Sequence, residues 1–291
     1  MKNHHKFLPL ITVLVFLIIL AGCAAKVKML APPSQAPTLR YVMPEGKPFT
    51  YTVSTGFNQS ISMMGVPIKT TVLKDMTVTF YQLAFAQEAY QLQGVINDIS
   101  MKITAPGTNL TPNLSQIPGK TFEMTVTNTG EEIGVMGADK LTYSLGEEGE
   151  RNMENDFEKF FPDLPVDPLN PGDTWTTTDT VLVDAEGMAT TIVTQTDNTL
   201  EGYELINGHD CAKITGTYTS TITGSGTKNG SDMETTLEIA GKETLYFDYK
   251  MGVLVLQKSS GNGGGDIKIS GEKEMTLPMS QTVTNKLELV E

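Results

Sequence analysis

Side chains able to do covalent or acid–base chemistry are few in this chain of 291 residues. It has two cysteines, Cys23 and Cys211, and three histidines, of which only His209 lies outside the first five residues. Cys23 sits in "ILAGCAAK" at 19–26, at the end of an apolar run. Cys211 lies in "LINGHDCAKITG", just after an Asn-Gly turn signal. A reactive thiol needs a pKa lowered by nearby positive charge or a helix N-terminus. His209 and Lys213 are close in sequence, but Asp210 offsets them, so Cys211 reads as a small filler at the start of a strand. His209 follows a turn glycine and is expected to face solvent. A serine–histidine mechanism needs a nucleophile, a base and an orienting group within hydrogen-bond reach. No GxSxG is present, and a single histidine excludes a two-histidine metal site. Glycan hydrolysis needs two opposed carboxyls beside aromatic platforms. The lone Trp175 opens a strand and reads as core, while "EEGE" at 147–150 and "EGYE" at 201–204 read as solvated surface. "DPLNPGDTW" at 167–175 and the glycine-rich segments lack EF-hand ligand spacing. The sequence therefore predicts no enzyme, no metal and no cofactor.

The N-terminus is more specific. "MKNHHK" carries Lys2 and Lys6, and an uncharged, largely apolar stretch of 16 residues follows from Phe7 to Gly22. A basic segment, an apolar segment and then small residues is the layout of a secretion signal. The apolar run falls short of the roughly 20 residues a spanning helix needs. "LAGC" at 20–23 resembles the lipobox of bacterial lipoproteins. That resemblance implies cleavage before Cys23 and a diacylglyceryl group on its thiol, with palmitate-like chains anchoring the mature protein to a membrane. Two or three acyl chains hold a soluble domain stably at a bilayer. Acylation of Cys23 would leave Cys211 without an intramolecular disulfide partner. Ala24 stands where aspartate would favour inner-membrane retention, so the resemblance implies the outer membrane if the organism is Gram-negative.

The formal charge of −13 becomes −15 once Lys2 and Lys6 are removed with residues 1–22. So acidic a chain has no general attraction to nucleic acid. Threonine is abundant at 39 residues, with 27 glycines and one tryptophan, a composition suited to β structure because β-branched side chains fit strands.

Residues 24–44 hold four prolines and lack periodicity, which predicts a tether. From Phe49 the apolar period becomes two. "FTYTVST" at 49–55, "MTVTF" at 76–80, "FEMTVT" at 122–127, "TWTTTDTVLV" at 174–183 and "METTLEIAGKETLYFD" at 233–248 alternate as strands with one buried face do. The glycine-rich stretches "GSGTKNGSD" at 224–232 and "SSGNGGGD" at 259–266 each read as the turn of a long hairpin. One segment breaks the pattern. In 146–165, Met153, Phe157, Phe160 and Phe161 recur at helical spacing before Pro162, predicting a short helix. "PEGKPFTYTV" at 44–53 is echoed by "NPGDTWTTTD" at 170–179, an internal repeat.

These readings predict a mainly β fold, with antiparallel sheets in two similar curved-sheet or half-barrel modules and one short helix near their junction. The expected divisions are a signal peptide at 1–22, the lipidated cysteine and flexible tether at 23–43, a first β module at 44–145, a short helix and linker at 146–165, and a second β module at 166–291. The "SISMMG" segment at 60–65, an aromatic after a glycine near the start and the threonine-rich strands resemble a family of uncharacterised bacterial lipoproteins grouped as a domain of unknown function. The resemblance supports the architecture and implies no activity. The function expected is that of an envelope lipoprotein, lipid-anchored on the extracytoplasmic side, with a non-catalytic structural or protein-interaction role. Its partners would be the membrane, through Cys23, and an envelope protein. The alternative is a carrier for a lipid or other apolar ligand, whose adaptable lining the many strand methionines would supply. A carrier needs a cavity of several hundred cubic ångströms.

Overall fold

A computed structural model describes residues 28–145, 149–185, 187–228, 230–271 and 274–290. The signal peptide at 1–22 and Cys23 lie outside the described residues. In chain order the strands are β1 (Lys28–Leu30), β2 (Phe49–Met63), β3 (Val66–Ala86), β4 (Ala89–Ala105), β5 (Thr108–Leu110), β6 (Thr121–Thr127), β7 (Glu132–Met136), β8 (Tyr143–Ser144) and β9 (Glu150–Arg151), then β10 (Thr174–Ala185), β11 (Met188–Ile206), β12 (His209–Lys228), β13 (Ser231–Asp248), β14 (Val253–Ser270) and β15 (Met275–Val290). All but β8 and β9 belong to one 13-stranded antiparallel sheet, and β8 and β9 pair separately.

The expectation of two β modules with a helix at their junction is corrected here. The last strand, β15, pairs with β2 in an unbroken register from Met279↔Ile61 to Val290↔Thr50. The two halves are therefore one sheet, running from β10 and β11 through β15 and β2 to β7. Periodicity fixes which face of a strand is buried, but it cannot tell whether neighbouring strands share a sheet. Among the described residues there is no α-helix, and none long and apolar enough to cross a membrane.

Local chemistry explains why the hairpins are tight. Met64 and Gly65 (φ 52° and 79°), Gln87 and Glu88 (52° and 61°), and Asn207 and Gly208 (50° and 87°) are two-residue turns with both residues at positive φ. That is the type I′ geometry matched to strand twist. The stretch "SSGNGGGD" is not a turn. It runs through the middle of β14, paired with β13 on one side and β15 on the other. Its glycines are a packing device: the Tyr218 ring lies across Gly241 and Gly261, where a Cβ would stand 2.3 Å and 2.4 Å from atoms of that ring and its hydroxyl.

The predicted helix is instead a strap, with one 3-10 turn at Glu154–Asp156. Lys159 has φ 59°, a left-handed conformation that stops helical continuation. The aromatic spacing was therefore a core signal rather than a helical one. Phe157 stacks on Phe122 at 3.8 Å between ring centroids, Phe160 meets Phe80 at 5.0 Å, and Phe161 meets Tyr41 at 5.3 Å. The predicted tether is also corrected in part. Leu39, Tyr41 and Met43 are buried in the main core, the Tyr41 N–H bonds the Asn128 carbonyl, and β1 pairs with β11. Alternate residues of this proline-containing stretch reach the core without regular secondary structure, which the strand template does not detect.

Candidate functional site

Antiparallel register places the inward side chains of successive strands in transverse rows. Going from the β2–β3 turn towards the strap, the first row is apolar: Ile192, Ile222, Leu237, Met279 and Ile61. The second holds Asp179, Thr194, Ser220, Ile239 and Gln281. The third holds Thr177, Thr196, Tyr218, the two glycines beneath its ring and Val283. The fourth holds Trp175, Asn198, Glu243, Ser259 and Asn285. The fifth is mainly apolar, with Gln257 between Leu245 and Leu287, and enters the main core through Leu200, Ile214, Leu245 and Leu287. Polar rows thus lie between two apolar layers. A cavity of about 430 Å³ opens along them, and Lys159, Phe161, Pro162 and Asp163 of the strap complete its wall.

The strap is held over this space from several strands. Lys74 of β3 pairs with Asp156, and Lys159 reaches Asp179 of β10 at 2.6 Å. The Phe161 N–H donates to Glu132 Oε1 on β7 at 2.7 Å, and the Tyr41 hydroxyl donates to the Pro162 carbonyl at 3.0 Å. The outer strands β7 and β10 are thereby joined through the strap, by the Phe161 backbone N–H on one side and the Lys159 side chain on the other.

Inside the cavity acceptors outnumber donors. Asp163 Oδ1 and Asn198 Oδ1 are buried without a hydrogen-bond partner, as is Glu132 Oε2 beneath the strap. Glu243 accepts one bond from Gln257 Nε2 at 3.3 Å. Burial pushes the Asp163 carboxyl up to about 6, against the pull of Lys159. Burial likewise raises Glu243, opposed by the Gln257 bond, and lifts Glu132 to about 8, opposed by the Phe161 N–H and Lys159. Burial works against the charge on Lys159, but its bond to Asp179 and the charge of Asp163 raise it overall.

The residues singled out from sequence lie outside this cavity, with Trp175 beside it as the register partner of Asn198. Cys211 is fully buried beside Val253 and Val255, and burial pushes its thiol up to about 12, the opposite of activation. His209 does not face solvent freely: its Nδ1 lies 2.8 Å from Asp248 Oδ2 in the core-side turn. Glu204, read as surface, is buried and pairs with Lys213 at 2.9 Å. No methionine appears in the cavity lining; Met76, Met101 and Met124 fill the main core instead. Sequence reasoning missed Asp163, Asp179, Asn198 and Glu243. The inward parity of Asn198 and Glu243 was available as a signal, since both sit at apolar-face positions of their strands. Among the described residues no group of three or more histidine, cysteine or carboxylate side chains is placed to hold a metal ion.

No protein-family model matches the chain, and no curated protein matches it. Among solved structures, Pseudomonas aeruginosa OccK5 (OpdH) aligns over 86% of this chain and 100% of its own, at 4% identity and a TM-score of 0.27. A DUF1329 family protein from Desulfovibrio piger aligns over 82% of this chain and 85% of its own, at 9% identity and a TM-score of 0.15. TM-scores this low define no common fold, and nothing is carried from either protein to this one.

Proposed function

We propose that this chain is a non-catalytic binding protein of the cell envelope, anchored by a lipid on Cys23, that holds a small amphipathic ligand beneath its strap. The observation that carries the reading is the cavity of about 430 Å³, bounded by sheet rows and the strap and lined by both apolar and polar side chains. It falls within the size range of small-molecule sites. The N-terminal signal and lipobox support the location. A purely apolar cargo fits less well, because Asn198, Ser259, Asn285 and Glu243 would be left facing hydrocarbon, and burying such groups without partners is costly.

Native mass spectrometry of the protein purified from its own envelope tests this. A ligand is expected with the wild-type chain and lost from Thr194→Phe, which fills the cavity from the second row. An empty wild-type protein would refute the reading. An interaction role is the second reading, favoured by the exposed apolar β2–β3 tip, where Met64 is 90% exposed and Met63 and Val66 are also exposed. A stoichiometric protein that co-purifies with wild type and is lost on Met64→Asp would favour it.

A further inference from the structure

We infer that the cavity selects a ligand with a protonated amine and an apolar body, the amine lying among Asp163, Asn198 and Glu243. This deepens the ligand-binding reading and rests on it. Two independent observations converge. The first is the sign of the site. Asp163, Asp179 and Glu243 line it with one cation, Lys159, which is committed to Asp179 at 2.6 Å and to Asp163 at 3.8 Å. The second is the pattern of unmet hydrogen bonding. Asn198 is only 4% exposed, lines the cavity, and has its Oδ1 unpartnered; Asp163 Oδ1 is buried and unpartnered as well. Both atoms are acceptors, and a ligand donor would satisfy them; Trp175 Nε1, on the register partner of Asn198, is an unpartnered buried donor, but Trp175 is outside the cavity lining.

An ammonium group brings three donors and no acceptor, together with the charge the site lacks. A carboxylate ligand would bring only acceptors and like charge. The apolar body is placed by the same rows. Val283 and Ile239, in the third and second rows, are the apolar lining nearest the amine position, and Ile222 and Ile192 of the first row continue it away from the main core. Lys159 faces Asp179 and Asp163 Oδ2, which leaves Asp163 Oδ1, Asn198 and Glu243 to the amine.

The chain's single tryptophan, Trp175, is register partner to Asn198 and serves as the optical probe beside the proposed amine position. The full-length protein in nonionic detergent is titrated with octylamine, octanoate and octanol, following Trp175 emission and heat, with detergent alone as blank. Octylamine is expected to bind at least roughly tenfold more tightly than either competitor, about one decade of the affinity scale. Glu243→Gln and Asp163→Asn should each weaken octylamine by roughly tenfold and leave octanol unchanged. Octanoate or octanol binding as tightly as octylamine overturns the amine assignment while leaving ligand binding intact. Binding of none of the three overturns both.

Discussion

Glu132 carries the clearest single-residue consequence. Its carboxyl is buried under the strap, with Oε1 accepting the Phe161 N–H and Oε2 unpartnered. Desolvation is the dominant cause of its rise from about 4.5 to about 8, with Asp163 adding to it and Lys159 opposing. Between those two values the folded protein holds a proton that the unfolded chain has released. Stability therefore falls as pH rises across that window and levels off above about 8. Glu132→Gln keeps an acceptor for the Phe161 N–H and removes the ionisation. The variant is expected to melt about 2–4 °C above wild type at pH 8, for a gain on the order of 1 kcal/mol. The two should converge near pH 4.5, measured by thermal denaturation at a series of pH values. An identical slope in both proteins would reassign the pH dependence. Asp163 titrates lower, near 6, facing Lys159, Asp179, Glu131 and Glu132, so the two carboxyls are separable by pH.

At the scale of elements, β14 shows how a sequence signal can be right in kind and wrong in meaning. Glycines at 261, 263, 264 and 265 read as a loop, because glycine most often marks a turn. In a long strand they mark close approach instead, and which case applies depends on the opposing strand. Here Tyr218 is the cause: its ring occupies the space that side chains at Gly241 and Gly261 would fill. Gly241→Val is expected to displace that ring and cost about 1–3 kcal/mol by overpacking, read as a lower denaturation midpoint with an unchanged slope. If Gly241→Val unfolds at the wild-type midpoint, the Tyr218 packing is not a constraint. The strap makes a parallel point. Phe157, Phe160 and Phe161 were legible as buried because of their hydrophobicity. Their backbone path was not, because Lys159 at positive φ and the anchoring ion pairs to β3 and β10 depend on tertiary partners.

The whole molecule has two distinct ends. β1 enters beside the Leu205 end of β11, next to the Asn207–Gly208 turn, so Cys23 lies five residues before the first described residue at that end. The β2–β3 turn lies at the other end, since β2 leaves Phe49 near the aromatic core and runs 15 residues to Met63. At the usual strand rise of roughly 3.4 Å per residue, the exposed Met64 tip stands about 50 Å along the strand from Phe49. The alternating strands and their buried faces were legible from the sequence. The join of β15 to β2, which turns two expected modules into one sheet, was not, because pairing across some 220 residues leaves no local periodic trace. This geometry gives the anchor a sharp expectation. A lipid on Cys23 would set the Asn207–Gly208 end towards the bilayer and hold the cavity and the Met64 tip outward. Cys23→Ser blocks acylation without touching any described contact. Most of the variant should therefore leave the membrane fraction while keeping the wild-type melting temperature and the Trp175 response to ligand. A Cys23→Ser chain that is processed at the same position and still sediments with membranes would show that something other than the lipid holds the protein there. The exposed apolar tip would then be the first surface to mutate.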